Sequence, residues 1–266
     1  MEAVYQAIVD VIEAGQCGAL ATVVEKEGSG PQVPGAKMLV RADGSIAGTV
    51  GGGVPEKRAC EVAAEVIRTG QPQLITVNLG GRAGPGEPAC GGRLTIFIEP
   101  VTSPPSLLIF GAGHVGRALT KLAADLGFRV TVIDERPEFA RPDLLPGAGE
   151  VKVGVGPDIA DQLRVDDRTF VVIVTHGHTN DTEVLRWVAG SPACYIGMMA
   201  SRRKEATIVD RLAAEGIPRE QLDRIHTPIG LDIGAVTPAE IAVSIAAEMI
   251  RHRHGPKGTE NETQPA

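Results

Sequence analysis

Three glycines stand at phosphate-binding spacing in the run Gly111-Ala112-Gly113-His114-Val115-Gly116, a G-x-G-x-x-G. The first permits a tight turn, the second lets the backbone approach a pyrophosphate, and the third lets a helix pack close to a strand. A helix opening there aims its N-terminus, with His114, at an anion. Asp134 lies 21 residues beyond Gly113. An acid at that distance can accept from a ribose diol, and it repels a 2′-phosphate.

Other residues fit a cofactor grip. Thr175-His176-Gly177-His178-Thr179-Asn180-Asp181 holds zinc-ligand types as HxHxxD. The spacing does not complete a metallohydrolase set, so His176 is read as lining a cleft. Ser201 is a plausible N-cap. Arg202 and Arg203 follow it, against the helix dipole unless an anion sits there, which makes Arg202 or Arg203 a candidate phosphate clamp. Gly51-Gly52-Gly53 precedes a helix and offers consecutive amides as an anion nest, with Glu56 in the first turn. Cys90 stands beside Gly91 and Gly92, which leaves its thiol open as a nucleophile or soft-metal ligand. No nucleophile–base triad stands out. No acid/base pair stands out either.

These residues need elements to place them. Val4, Ile8, Val11 and Ile12 recur at helical spacing over 2–14. Strand-like runs follow at 17–26, 36–41 and 45–50, the last two joined by Asp43-Gly44, a hairpin signal. A helix over 51–70 and strands over 73–79 and 93–101 complete an α+β region. The segment 99–106, EPVTSPPS, breaks helix and ladder, and places the boundary between domains 1–100 and 101–254. Beyond it, apolar runs at 107–110, 129–134, 169–175 and 193–197 alternate with helical stretches at 115–126, 157–164, 181–189 and 202–215. A last helix covers 238–252. Continuous apolar strands alternating with helices predict a Rossmann-like, doubly wound parallel sheet. The polar residues 255–266 are expected to be a disordered tail.

Composition removes several function classes. Of 266 residues, 26 are Lys or Arg and 33 are Asp or Glu, for a net charge of −7. Residues 1–100 carry −3 and 101–266 carry −4, so neither part has the basic footprint of a nucleic-acid binder. Aromatics are 3%, too few for base-stacking platforms. No apolar run is long enough for a membrane span. The N-terminus lacks the basic start of a secretory signal. Cys17, Cys60, Cys90 and Cys194 are scattered and form no CxxC, which fits a reducing cytoplasm.

Six stretches in order resemble the xanthine dehydrogenase accessory (XdhC/CoxI) family: GSGPQVPGAKMLVRADGSIAGTVGGGVPE, CGGRLTIFIEP, IFGAGHVGRAL, VIDERPEFA, YIGMMASRRK and PIGLDIGAVTPAEIAVSI. The resemblance spans residues 5 to 252. It implies an N-terminal XdhC/CoxI domain and a C-terminal Rossmann domain. It implies a chaperone that receives molybdenum cofactor (molybdopterin), protects it while a cysteine desulfurase sulfurates the metal, and delivers it to a molybdenum hydroxylase such as xanthine dehydrogenase. Family members are often dimers. The family's glycine-run-plus-Glu motif falls on Gly51, Gly52, Gly53 and Glu56, its CGG on Cys90, Gly91 and Gly92, and its Rossmann motif on Gly111 to Gly116. Cys90 is then the candidate contact to molybdenum. The chain departs from the family pattern at Gln32, at Val54 and Pro55, and in the short segment GGRAGPGEPA before CGG. The alternative reading is an NAD(P)-dependent oxidoreductase or nucleotide-binding protein that uses the Rossmann crevice.

Overall fold

The computed structural model describes residues 2–28, 32–79, 92–176 and 178–255, without the side chains of residues 157, 178, 179 and 202–204. The chain divides into two compact units between Pro104 and Pro105.

The first unit runs α1 (Glu2–Glu13), β1 (Cys17–Glu27), β2 (Lys37–Arg41), β3 (Ile46–Gly48), α2 (Gly53–Thr69), β4 (Gln73–Asn78) and β5 (Arg93–Thr102). The strands form one sheet in the order β3-β2-β1-β5-β4, and every neighbouring pair is antiparallel. Alternation decides the faces. Ala19, Ala21, Val23, Met38, Val40, Ile96 and Ile98 turn to α2, where Ala59, Val62, Ala63 and Val66 meet them. Leu39 and Val101 turn the other way, to Val4, Ala7 and Val11 of α1. Asp43 and Gly44 make the expected turn, with Gly44 at φ 82.

The second unit runs β6 (Ser106–Phe110), α3 (His114–Asp125), β7 (Arg129–Asp134), β8 (Glu150–Val153), β9 (Thr169–Ile173), α4 (His178–Val188), β10 (Tyr195–Met198), α5 (Arg202–Ala214), α6 (Arg219–Asp223), β11 (Ile225–His226) and α7 (Pro238–His254). Its sheet has the order β11-β10-β9-β6-β7-β8, and all pairs are parallel. The apolar runs are continuous because both faces are buried. Leu107 and Ile109 pack with Leu119 of α3 and Ile245 and Met249 of α7. Leu108 and Phe110 point to the other side, with Val184 and Leu185 of α4 and Ile208 and Leu212 of α5.

Three details differ from the sequence reading. The stretch at 157–164 is a 3-10 helix, Gly156–Gln162, rather than an α-helix. The helical stretch expected at 181–189 extends back to His178, one of the two starts that the HxHxxD run itself allows, so that run is partly helical. The edge strands β8 and β11, four and two residues long, and the five-residue α6 are too short for periodicity to show them. No described helix is long and apolar enough to cross a membrane. The tail from 256 lies outside the described residues.

Candidate functional site

In the second unit the chain order runs β6 to β7 to β8 outward on one side, then returns to β9 beside β6 and proceeds outward on the other. An open parallel sheet binds ligands above its carboxyl edge where the order reverses, here between β6 and β9. The glycine loop, Asp134, Thr175 and His176 all follow strand ends at that edge.

The three glycines do different work. Gly111 has φ 117, and a Cβ there would lie 2.3 Å from the Val174 carbonyl oxygen, so the loops after β6 and β9 touch. A Cβ on Gly116 would lie 1.8 Å from the Gly111 carbonyl oxygen, so α3 sits directly against the turn. Gly113 is different. It has φ −71 and ψ −168, open to any residue, and a Cβ there would meet nothing within 4 Å. Folding does not demand glycine at that position. The space beside it, at the N-terminus of α3, is open, and a helix N-terminus favours an anion. His114 begins the helix and is exposed.

Asp134 is buried at the end of β7. Its Oδ2 accepts the Ala112 N–H (2.7 Å) and Arg136 Nη2 (2.8 Å). Its Oδ1 accepts the Arg136 N–H (3.0 Å) and Nε (2.8 Å). Burial pushes the carboxyl up, but the Arg136 guanidinium and the two backbone N–H groups outweigh it and hold it below its ordinary value. Arg136 completes a planar, bidentate pair. Arg117 braces the loop as well, donating from Nε to the Ala112 carbonyl (3.0 Å). Gly111, Asp134, Arg136, Thr175, His176 and Asn180 share one narrow cavity of about 10 Å³. His176 is exposed. Asn180 Nδ2 donates to Glu135 Oε1 (2.6 Å), closing one side.

Ser201 ends the connection from β10 to α5 and is exposed, and its carbonyl accepts the Glu205 N–H (2.9 Å). Arg202 is the first residue of α5, and its side chain lies outside the described set.

In the first unit, Gly51, Gly52 and Gly53 have φ of 129, 70 and 53, conformations that glycine favours. The anion at this turn is the chain's own. Glu56 reaches back from the first turn of α2 to accept the Gly52 N–H (2.9 Å) and the Thr49 hydroxyl. Thr49 Oγ1 accepts the Gly51 N–H (3.1 Å). A negative side chain in the first turn suits the helix dipole. Gly92 is buried, and its carbonyl accepts the Leu79 N–H (2.7 Å). Cys90 and Gly91 lie outside the described residues. No group of three or more His, Cys, Asp or Glu placed to hold a metal occurs among the described residues.

Two arrangements were not read from the sequence. Arg136 follows Asp134 by two residues, and the D-x-R pattern at a strand end was its signal. The other is Glu248, buried on α7, which accepts the Tyr195 hydroxyl (2.8 Å) and the Gly230 N–H (2.7 Å), with Arg251 at 3.2 Å and His226 at 3.5 Å. It ties β10, the segment after β11 and α7 together. Tyr195, Gly230 and His226 lie far from it in sequence, so spacing gives no signal for them.

Comparison with known proteins agrees with this architecture. The model of the XdhC Rossmann domain matches residues 107–249, and that of the XdhC and CoxI family matches residues 11–78. The chain is 37% identical to the Escherichia coli K12 protein YqeB over 248 residues, 90% of this chain and 44% of that one. It is 31% identical over 158 residues to a probable xanthine dehydrogenase subunit from Bacillus subtilis, covering 59% of this chain and 46% of that protein. It thus spans less than half the length of either. It is 24% identical over 278 residues to the molybdenum cofactor insertion chaperone PaoD of Escherichia coli K12, 91% of this chain and 85% of that one. A solved structure described as a xanthine dehydrogenase, from Bacillus halodurans, shares the fold with a TM-score of 0.53 at 22% identity over 97% of both chains. With its antiparallel first unit and its parallel Rossmann second unit, the chain belongs to the XdhC and CoxI family.

Proposed function

We propose that this chain binds molybdenum cofactor, shields it during sulfuration and hands it to a molybdenum hydroxylase of the xanthine dehydrogenase kind. The observation that carries this reading is Gly113. The loop keeps glycine where the protein's own packing does not need it, beside the amides that open α3. That place suits the terminal phosphate of a pterin cofactor. The name of the PaoD relative supports the same cargo.

Gly111, Gly113, Gly116 and the first residues of α3 hold the phosphate in this reading, with Ser201 and Arg202 approaching from the next strand ends. Cys90, beside Gly91 and Gly92, is the candidate thiol for the molybdenum or its dithiolene by the family pattern. Gly51, Gly52 and Gly53 accept a second anionic group only if Glu56 leaves them. The partners are the hydroxylase, a cysteine desulfurase and a second copy of the chain, in the cytoplasm. Handing on a cofactor needs no rate acceleration, so the chain is read as a holder rather than an enzyme.

The test is metal and mass analysis of the full chain purified anaerobically from a cofactor-producing host. Molybdenum with an oxidisable pterin is expected, and Cys90→Ala should retain less of both. A bound nucleotide without molybdenum sinks the reading.

A further inference from the structure

Asp134 ends β7 where a dinucleotide fold offers a carboxylate to a ribose diol. A carboxylate has about four acceptor positions. Here four donors from the chain itself take them: the N–H of Ala112, the N–H of Arg136, and both Nε and Nη2 of Arg136. The Arg136 side chain is itself held. Its guanidinium lies 3.9 Å from the centroid of the Phe139 ring, and Arg117 approaches the same ring at 5.5 Å. The cavity beside it holds about 10 Å³, the room of about one water molecule.

We propose that Arg136 is a specificity-determining residue: it occupies the diol-reading side of Asp134 and closes the crevice to adenine dinucleotides. The glycine loop is left to ligands whose phosphate is not followed by a ribose diol on the β7 side. A 2′-phosphate fares no better than a diol. It would have to displace Asp134 from Arg136, against the negative charge of Asp134, Glu135 and Glu138.

The arrangement also states what removal of the side chain does. Without it, the N–H groups of Ala112 and Arg136 still occupy one position on each carboxylate oxygen. One acceptor position per oxygen then opens, which is what two vicinal hydroxyls require. Dinucleotide affinity and molybdenum content are separate readouts, so this selectivity and the cofactor reading fail separately.

The experiment is calorimetric titration of the full chain with NAD+ and with NADP+. The wild type should show no saturable binding of either at millimolar ligand. Arg136→Ala should bind NAD+ measurably, at least about tenfold tighter than the wild-type limit, as expected for charge-assisted hydrogen bonds. Asp134→Ala in that background should abolish the gain. Arg136→Lys keeps the cation without the planar fork, and should show a smaller gain. It serves as the test if the alanine variant fails to fold, with circular dichroism as the control. Tight binding of NAD+ or NADP+ by the wild type overturns the proposal. So does unchanged affinity in a folded Arg136 variant.

Discussion

Asp134 is held ionised by donors that burial alone would not supply, and this gives a signed pH dependence. Its carboxyl sits below the ordinary 3.8 in the folded chain. A lowered value means the folded state favours the charged form. The resulting stability is present above pH 3.8 and is lost as pH falls through the folded value. Asp134→Asn should therefore destabilise the second unit by about 2 kcal/mol at neutral pH, the scale of hydrogen bonds to a charged group. The difference from wild type should shrink as pH falls below 3.8, measured by denaturant unfolding at several pH values. A difference independent of pH would place the energy elsewhere. The role was only half legible in the sequence. Spacing located the acid at a strand end, but not the arginine two residues on that turns back to it. Glu56 shows the same limit: a first-turn carboxylate can fill the nest formed by its own helix's glycines.

The turn between β6 and α3 separates glycines that folding requires from one that it does not. Gly116→Ala places a methyl group against the Gly111 backbone, which cannot yield as a flexible side chain would. It should cost about 3 kcal/mol or more. Gly113→Ala meets open space at an ordinary φ and should change stability by no more than about 0.5 kcal/mol. Thermal unfolding of both variants checks this. Equal losses would mean that Gly113 also has a packing role. If the loop serves a phosphate, Gly113→Ala loses ligand while keeping its melting temperature. Strands such as β6 and β9 were legible because burial on both faces writes them as unbroken apolar runs. The edges β8 and β11 were not, since two to four residues carry no period. The 157–164 stretch was legible as helical but not as 3-10, since seven residues span only about two turns of either form.

Across the whole molecule, each unit closes its own core. The second buries both faces of its sheet with helices drawn from its own sequence, α3 and α7 on one side and α4 and α5 on the other. Residues 105–255 produced alone should therefore fold and melt cooperatively, as followed by circular dichroism and calorimetry. A broad, non-cooperative transition would show that its core is incomplete without residues 1–104. The change at EPVTSPPS from an antiparallel to a parallel pattern was readable because the strand grammar changes there, from alternating to continuous. Within the second unit, the glycine loop is pinned from several directions. The Gly111 N–H donates to Ile133, the Val174 N–H to Phe110 and the Ala112 N–H to Asp134, while Arg117 holds the Ala112 carbonyl. A ligand arriving there finds a mould already set. Little backbone entropy is left to surrender on binding, so affinity at this edge reports the fit of the guest rather than the closing of the host.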